Sequence, residues 1–127
     1  MKGHSDWVYA VAFGKDGKIL ASGSWHSSVK IWDMKNGKEI RTLIGHSYGV
    51  YSVAFDNSGK TLASGSWDES VKIWDWENGK EIRSLKGHSK WVNSVAFGNE
   101  GKILASGSND SFIKIWDVES GKEIRTL

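Results

Sequence analysis

Cysteine and proline are both absent from this 127-residue chain. Without cysteine, neither a disulfide nor a thiolate metal site can form, and an intracellular, cytoplasmic location is expected. Without proline, the turns have to be made by glycine, asparagine, aspartate and serine. No apolar run approaches the ~20 residues of a membrane span, and residues 1–6 lack the apolar core of a signal peptide. The composition therefore predicts a globular protein without a membrane partner.

Charge of one sign is also scarce, since the formal net charge is only +2. Lysine and arginine are interleaved with glutamate, as in residues 38–41, which is typical of a solvated edge. A nucleic-acid-binding domain normally concentrates its basic residues on one face. The charge pattern therefore argues against nucleic acid as a partner.

Tryptophan is abundant, with eight residues, and three of them belong to an internal repeat. Gly-His pairs begin at residues 3, 45 and 87, and Trp-Asp pairs begin at residues 32, 74 and 116, so both recur every 42 residues. Residues 2–43, 44–85 and 86–127 align without a gap, and more than half of the aligned positions are identical in all three copies. We interpret these segments as three copies of one structural unit. Because the chain consists of whole copies, an engineered or excised fragment of a longer repeat protein is expected.

Each copy contains four short strand signals separated by turn residues. In the first copy, residues 7–13 are apolar throughout, which is typical of a strand buried on both faces. Three further strands are predicted over residues 18–24, 29–32 and 38–43, and the last of these carries charges that protect an outer edge from unwanted pairing. We therefore expect burial to decrease from the first strand to the last, as in a propeller blade that runs outward from a central axis.

The Gly-His and Trp-Asp pairs, at this period, resemble the WD-repeat family over residues 2–127. The resemblance implies an all-β fold of three four-stranded antiparallel blades that form part of a β-propeller, and a role in holding proteins or peptides. It also implies a buried, hydrogen-bonded tetrad of tryptophan, serine, histidine and aspartate in each blade. These tetrads would be Trp74, Ser64, His46 and Asp68; Trp116, Ser106, His88 and Asp110; and Trp32, Ser22 and His4, with His26 in place of the aspartate.

Serine, histidine and aspartate together also permit a different interpretation, a hydrolase triad. The combination occurs once per copy, whereas a catalytic site is normally unique, and the Gly-x-Ser-x-Gly elbow of many hydrolases is absent. The histidines lack close metal-ligand spacing, and the glycines make no phosphate-binding pattern. We therefore expect a protein that is not an enzyme and that has no catalytic residues, metal or cofactor.

Positions that differ between the copies indicate a candidate ligand surface. By the family resemblance, partners meet the rim where the first strand begins and where the turn between the second and third strands emerges. Six of the nine residues there are aromatic, a type enriched in recognition surfaces, although packing between blades explains some of them equally well. The residues of this candidate rim are Trp7, Tyr9, Trp25, Gly49, Tyr51, Trp67, Trp91, Asn93 and Asn109. A variable position beside the rim holds Asp6, Tyr48 and Lys90 in turn.

Both outer copies keep the apolar pattern of the middle copy, whereas a repeat protein normally ends in polar caps. We therefore expect the chain to bind copies of itself head to tail, in a contact that closes into a ring. Closing six blades in a homodimer would crowd the inner strands, and overpacking costs ~1–3 kcal/mol per site. Nine blades in a homotrimer would only widen the central channel, although nine exceeds the usual range of about four to eight. The sequence favours the homotrimer over the homodimer.

Overall fold

The structure is a computed structural model that describes residues 3, 4 and 6–127. Within these residues the chain forms three separate four-stranded antiparallel sheets, and the strands of each sheet lie in the order in which they follow along the chain. Every connection inside a sheet is therefore a hairpin. Lys2, where the first copy was expected to begin, lies outside the described residues, and the limits of the three copies stay a prediction.

Each sheet corresponds to one copy of the repeat. Sheet 1 consists of β1 (Val8–Phe13), β2 (Ile19–Ser24), β3 (Ser28–Asp33) and β4 (Glu39–Ile44). Sheet 2 consists of β5 (Val50–Phe55), β6 (Thr61–Ser66), β7 (Ser70–Asp75) and β8 (Lys80–Lys86). Sheet 3 consists of β9 (Val92–Gly98), β10 (Ile103–Ser108), β11 (Ile113–Asp117) and β12 (Glu123–Thr126). Short 3₁₀ turns follow the first strand at Lys15–Gly17 and Asn99–Gly101. Within the described part of the chain, no helix is long and apolar enough to cross a membrane.

The hairpin turn between the second and third strands has the same backbone shape in every sheet. One residue of each turn adopts a positive φ, with values of 73° at Ser27, 75° at Glu69 and 75° at Ser111. This left-handed conformation reverses the chain within a few residues, although side chains with a Cβ adopt it rarely. The turn brings the residue before it, which is aspartate in sheets 2 and 3, beside the start of the third strand.

Two hydrophobic cores lie between neighbouring sheets, one at each junction. We call the side of a sheet that faces the following sheet its rear face, and the opposite side its front face. At the first junction the rear face of sheet 1 contributes Ala21, Val29, Ile31 and Leu43, and the front face of sheet 2 contributes Val50, Val53, Leu62 and Trp74. The same positions recur at the second junction, as Ala63, Val71, Ile73 and Leu85 against Val92, Val95, Leu104 and Trp116. Sheet 2 is therefore covered by apolar side chains on both faces.

Burial does not decrease from the first strand to the last, so that expectation was wrong. Within sheet 2 the two middle strands are the most buried, since all but one residue of β6 and of β7 is buried. The first strand, β5, has only two buried residues and the outer strand, β8, only one. The middle strands are covered by the sheets on both sides and flanked by strands within their own sheet, whereas β5 lies at an inner edge.

The first strand of sheet 1 also departs from the prediction that residues 7–13 are buried on both faces. No residue of β1 is buried, and Val11 and Phe13 are each 64% exposed. The equivalent residues of sheet 2, Val53 and Phe55, are covered by sheet 1. The difference arises because no sheet of the described chain lies in front of sheet 1.

Candidate functional site

Sheet 2 contains a row of four hydrogen-bonded side chains that leads from its third strand to the loop before its first strand. The Trp74 indole Nε1 donates to Ser64 Oγ at 2.8 Å, and Ser64 Oγ lies 2.6 Å from His46 Nε2. On the other side of the imidazole ring, His46 Nδ1 lies 2.8 Å from Asp68 Oδ2. Trp74, Ser64 and His46 are buried, so their polar atoms depend on one another for partners.

The direction of each hydrogen bond follows from the two ends of this row. The indole of Trp74 can only donate, and the ionised carboxylate of Asp68 can only accept. A neutral imidazole that donates from Nδ1 to Asp68 accepts at Nε2 from the Ser64 hydroxyl, whose oxygen accepts from the indole. Each donor then has one acceptor, and a buried network that is fully satisfied favours a single geometry.

Asp68 also holds the loops on both sides of the network. Its Oδ2 accepts from the backbone N–H of Ser47 at 3.0 Å, and its Oδ1 accepts from the backbone N–H and the hydroxyl of Ser70 at 2.9 and 2.5 Å. Burial raises the pKa of the Asp68 carboxyl, but the hydrogen bonds from His46, Ser70 and the Ser47 backbone outweigh it. The pKa of Asp68 is therefore well below its ordinary value, and the carboxylate stays ionised.

Sheet 3 contains the same network. Trp116 Nε1 donates to Ser106 Oγ at 2.8 Å, Ser106 Oγ lies 2.7 Å from His88 Nε2, and His88 Nδ1 lies 2.8 Å from Asp110 Oδ2. Burial raises the pKa of Asp110, but the backbone N–H of Phe112, the His88 ring and a further backbone bond lower it to about 2. The network is therefore a feature of the repeat and not of one sheet.

Sheet 1 lacks the last link of the network. Trp32 Nε1 donates to Ser22 Oγ at 2.9 Å, and Ser22 Oγ lies 2.6 Å from His4 Nε2. His26, which replaces the aspartate, turns to the surface, where its Nε2 lies 3.4 Å from Asp6 Oδ2. The buried His4 Nδ1 has no hydrogen-bond partner among the described residues. The pKa of His4 is lowered, chiefly because burial disfavours the charged ring.

Serine, histidine and aspartate have the distances of a hydrolase triad, but the serine is not placed to attack a substrate. Ser64 is fully buried, its oxygen accepts from Trp74 and its hydroxyl donates to His46. A nucleophilic serine has to reach a substrate carbonyl, and here the hydroxyl oxygen is enclosed by its partners. Among residues 3, 4 and 6–127, no three histidine, aspartate or glutamate side chains lie close enough to hold a metal ion. The geometry of the network suits structural support.

A second polar cluster, which the sequence analysis missed, joins the third strand of each sheet to the fourth. In sheet 2, Lys72 Nζ donates to Glu81 Oε1 at 2.8 Å and to Ser84 Oγ at 3.3 Å. This lysine and this glutamate are identical in all three copies. Charges that only face solvent could differ between copies, so the identity was a signal in the sequence that these two residues interact. The corresponding pairs are Lys30 with Glu39, and Lys114 with Glu123.

The candidate rim contains a continuous cluster of aromatic side chains that crosses all three sheets. The ring centroids of Tyr9 and Tyr51 lie 4.8 Å apart, and those of Trp25 and Trp67 lie 4.7 Å apart. Trp67 continues the row to Trp91 at 4.2 Å. Aromatic side chains of successive sheets therefore touch one another across both junctions, so the rings both pack between blades and form a common surface.

The four remaining residues of the candidate rim surround this cluster. Trp7 extends it, with its ring centroid 6.5 Å from that of Trp25. Gly49 lies against the same tryptophan, since a Cβ at Gly49 would be 3.4 Å from the Trp25 Cα. Asn93 and Asn109 hydrogen-bond to each other through their side-chain amides. The aromatic surface thus ends at Trp91, and an amide pair takes its place in sheet 3.

A depression of about 470 Å³ lies in the middle of the aromatic cluster. Two of its residues, Tyr48 and Glu69, are not among the nine rim residues expected from the sequence. Tyr48 belongs to the variable position beside the rim, and its ring centroid lies 6.2 Å from that of Trp67. Glu69 was missed because the other copies have Ser27 and Ser111 at its position. The depression is lined by Trp25, Tyr48, Trp67, Glu69 and Trp91.

Comparison with known proteins gives one family match that extends over most of the chain. The family model described as "WD domain, G-beta repeat" matches residues 1–33, 37–75 and 79–117. A solved structure described as that of U3-55K aligns with 99% of this chain and 40% of its own chain, with a TM-score of 0.95 and 26% sequence identity.

Curated relatives match the chain over single repeats. The "Probable E3 ubiquitin ligase complex SCF subunit sconB" of Arthroderma benhamiae is 50% identical over 42 residues, which are 33% of this chain and 6% of the relative. The "Intraflagellar transport protein 122 homolog" of Homo sapiens is 60% identical over 35 residues, which are 28% of this chain and 3% of the relative. The matched segments thus span only a small part of the length of these relatives.

The missing link in sheet 1 predicts that His26→Asp stabilises the protein. The new carboxylate would accept the hydrogen bond from His4 Nδ1, as Asp68 does from His46, and the expected gain is about 1 kcal/mol in the free energy of unfolding. Denaturant unfolding at pH 7 measures it. Because the substitution also removes the His26–Asp6 contact, Asp6→Asn alone serves as the control, and the two changes should be combined. A neutral or destabilising effect in both backgrounds would contradict the assignment of His26 to the network.

The lowered pKa of Asp110 predicts a loss of stability in acid. A carboxyl whose pKa is lower in the folded state stabilises the fold above its unfolded pKa of about 4, and this contribution disappears as the pH falls through the folded value of about 2. At pH 7, Asp110→Asn should lower the free energy of unfolding by about 1–3 kcal/mol. The difference from the unsubstituted protein should shrink between pH 4 and 2 in denaturant titrations. A difference that is independent of pH would mean that the Asp110 charge does not contribute.

Proposed function

The chain belongs to the WD-repeat family, and from this we propose that it is a non-enzymatic interaction scaffold that associates head to tail with copies of itself. The enclosed hydroxyl of Ser64 supports a role without catalysis. The scaffold role is supported by the family and by a relative named as a subunit of a ubiquitin ligase complex. The closed ring is a proposal that depends on the two outer faces of the chain.

The front face of sheet 1 carries the same residues as the front faces inside the chain, but the apolar side chains of its first strand are exposed. Val8 is 49% exposed, whereas the equivalent Val50 is 0% exposed. Val11 is likewise exposed where Val53 is buried. Exposed apolar patches of this kind commonly mark interaction sites. The face therefore has the composition of a junction without the partner sheet.

The rear face of sheet 3 is the counterpart of this surface. Leu127 is 63% exposed, whereas the equivalent Leu85 is 2% exposed, and Ile113 is exposed where Val71 is buried. A second copy of the chain that docked its front face here would repeat the contacts of the two inner junctions. This match between both outer faces and both inner junctions is the observation that carries the proposal, because matching faces at opposite ends of one chain support a head-to-tail contact.

The shape of the backbone supports the same contact. At the inner junctions, a Cβ added to Gly23 or Gly65 would lie 2.7 Å from the Cγ1 of the valine opposite, so each glycine leaves room for that valine. Sheet 3 has a glycine at the same position, Gly107, but no valine lies opposite it within the described part of the chain. The nearest atom to a Cβ added to Gly107 is Ser94 Cβ at 4.0 Å. The space beside Gly107 on the rear face is therefore open, and Val8 of a second chain would fill it in a head-to-tail contact.

An arginine that hydrogen-bonds across the second junction has an exposed equivalent on the rear face of sheet 3. Arg83 of sheet 2 donates from Nε to the backbone carbonyl of Val118 in sheet 3 at 3.1 Å. The equivalent arginine of sheet 3 is Arg125, which is exposed. In a head-to-tail assembly it would reach Met34 of the next chain, which occupies the position of Val118. At the first junction the Nε of the equivalent Arg41 has no hydrogen-bond partner among the described residues, so this polar contact follows the second junction alone.

We propose a nine-bladed homotrimer in preference to a six-bladed homodimer. The inner strands of successive sheets already pack side by side, as the packing of Ala10 and Ala12 onto the first core shows. Closing the ring with six blades would press these strands closer, and overpacking is resisted by clashes. Opening it to nine separates them slightly and weakens many contacts by a little each.

A solution mass near three times 14.1 kDa is expected by light scattering or native mass spectrometry. A mass near twice that value would favour the homodimer, and a monomer at high protein concentration would contradict self-association. Gly107→Ala should dissociate the assembly, because its Cβ would meet Val8 of the next chain as it would meet the valines at the inner junctions. Each chain should stay folded, because the space at Gly107 is open within the chain.

A second variant, with a smaller side chain at Val8, tests whether Gly107→Ala acts through a clash with Val8 of the next chain or through an indirect effect on the fold. Val8→Ala removes the methyl groups nearest to the new Cβ, so the double variant Gly107→Ala with Val8→Ala should recover part of the association. Recovery in the double variant would place Val8 opposite Gly107 across the contact. Equal dissociation of the single and double variants would argue that these two residues do not meet.

We further propose that the aromatic rim is the surface on which the scaffold holds peptides or proteins. Its support is the continuous cluster that runs through Tyr9, Trp25, Tyr51, Trp67 and Trp91. Aromatic rings supply large contact areas with little loss of side-chain entropy, and they are enriched where proteins bind one another.

A peptide-library screen tests this rim. Peptides selected for binding should lose about tenfold or more in affinity when alanine replaces Trp25, Trp67 or Tyr9, since burying an aromatic ring commonly contributes over 1 kcal/mol to binding. Ile82→Ala, at a half-exposed position on the outer strand β8, is the matched control and should leave affinity unchanged. Binders that tolerate all three rim substitutions would place the ligand surface elsewhere.

A further inference from the structure

The depression in the aromatic rim has a chemistry more specific than that of the rim as a whole. Its lining combines aromatic rings from all three sheets with one carboxylate, that of Glu69. We propose that this depression binds a quaternary ammonium group. This inference rests on the proposed function, which makes the rim a ligand surface, and it adds the chemical class of the ligand.

The rings around the depression are inclined to one another instead of being stacked flat. The Trp67 ring makes angles of 51° with that of Trp25, 69° with that of Trp91 and 49° with that of Tyr48. Inclined rings form a concave wall, so a group in the depression meets several rings at once. A cation within about 6 Å of a ring centroid is attracted by the negative face of the ring, most strongly by tryptophan. Three indoles at one place therefore favour a cationic ligand.

Glu69 adds a full negative charge to the partial negative charges on the faces of the aromatic rings. The neighbouring Asp68 offers no free oxygen to a ligand, because its two oxygens are occupied by His46, Ser47 and Ser70. At the position of Glu69 the other sheets have Ser27 and Ser111, so the combination of three indoles with a carboxylate occurs at the second sheet. Glu69 is exposed and keeps its charge accessible to a ligand.

The walls also discriminate among cations by hydration. An unmodified ammonium group has three N–H donors and is strongly hydrated. The Glu69 carboxylate can accept from it, but the ring faces offer no further acceptors to replace the rest of its water. A quaternary ammonium group has no N–H donor and is covered by methyl groups that pack favourably against rings. The depression therefore should prefer trimethylated over unmodified amines. Both a free small cation such as choline and a trimethyl-lysine side chain in a peptide carry this group.

Choline and 3,3-dimethylbutan-1-ol provide the decisive comparison, because they have the same shape and differ by the positive charge. We expect choline to shift the indole Nε1–H resonances of Trp25, Trp67 and Trp91 in NMR titrations and to saturate. The neutral analogue should bind about tenfold more weakly, in line with the strength of cation–π and ion-pair contacts. Equal binding of the two compounds, or the absence of saturable shifts with choline, would overturn the proposal.

Two variants locate the charge effect. Glu69→Gln should weaken choline binding severalfold and leave the affinity for the neutral analogue unchanged, because it keeps the size of the side chain and removes its charge. Glu77→Gln, which removes a charge from an exposed turn between the third and fourth strands, is the matched control and should change neither affinity. If Glu69→Gln behaves like Glu77→Gln, the carboxylate does not take part and the proposal fails.

Peptides that contain lysine or trimethyl-lysine distinguish the two sources of the group. Tighter binding of the trimethylated peptide than of choline would indicate a modified side chain as the ligand, and equal binding would indicate a free cation. Failure of both, combined with library peptides that still depend on Trp25 and Trp67, would refute the ammonium site and leave the proposed function intact. Library peptides that ignore those residues would refute the proposed function itself.

Discussion

The burial of two apolar faces per sheet is the constraint on which the rest of this structure depends. A four-stranded sheet with one apolar face can be covered by a single partner, but here both faces carry valine, isoleucine, leucine and tryptophan at the same positions in every repeat. Such a sheet needs a neighbour on each side. The second sheet has both neighbours within the chain, and the outer sheets have one each, which is why the middle strands of the second sheet form the best-buried part of the molecule.

The polar networks determine the geometry of the loops more than they add to the free energy of folding. The indole, hydroxyl, imidazole and carboxylate groups of each complete network satisfy one another in places where water does not reach, and an unsatisfied buried group is costly. They therefore fix where the loop before the first strand and the turn after the second strand meet. The same turns present the rim aromatics, so the precision of the rim depends on hydrogen bonds made beneath it.

The repeat period, the four strands of each copy and the members of the polar networks could be predicted from sequence because identical residues recur at fixed spacing. The distribution of burial could not, since the apolar residues of β1 and β5 read alike and only the presence of a covering sheet separates Val11 from Val53. Glu69 could not be found either. Its role depends on the side chains that three different sheets bring around it, and nothing in the second copy alone indicates that Trp91 is close.

The incomplete network of the first sheet has a consequence for dynamics. In that sheet the buried His4 Nδ1 has no hydrogen-bond partner among the described residues, and apolar side chains of the first strand are in contact with solvent. Two interactions that hold the second sheet together are therefore weaker in the first. Local opening of a protein begins where buried contacts and protected hydrogen bonds are fewest. The backbone amides of the first sheet should consequently exchange with solvent through smaller, less costly fluctuations than those of the second, and the three nearly identical repeats form a graded series of local stabilities.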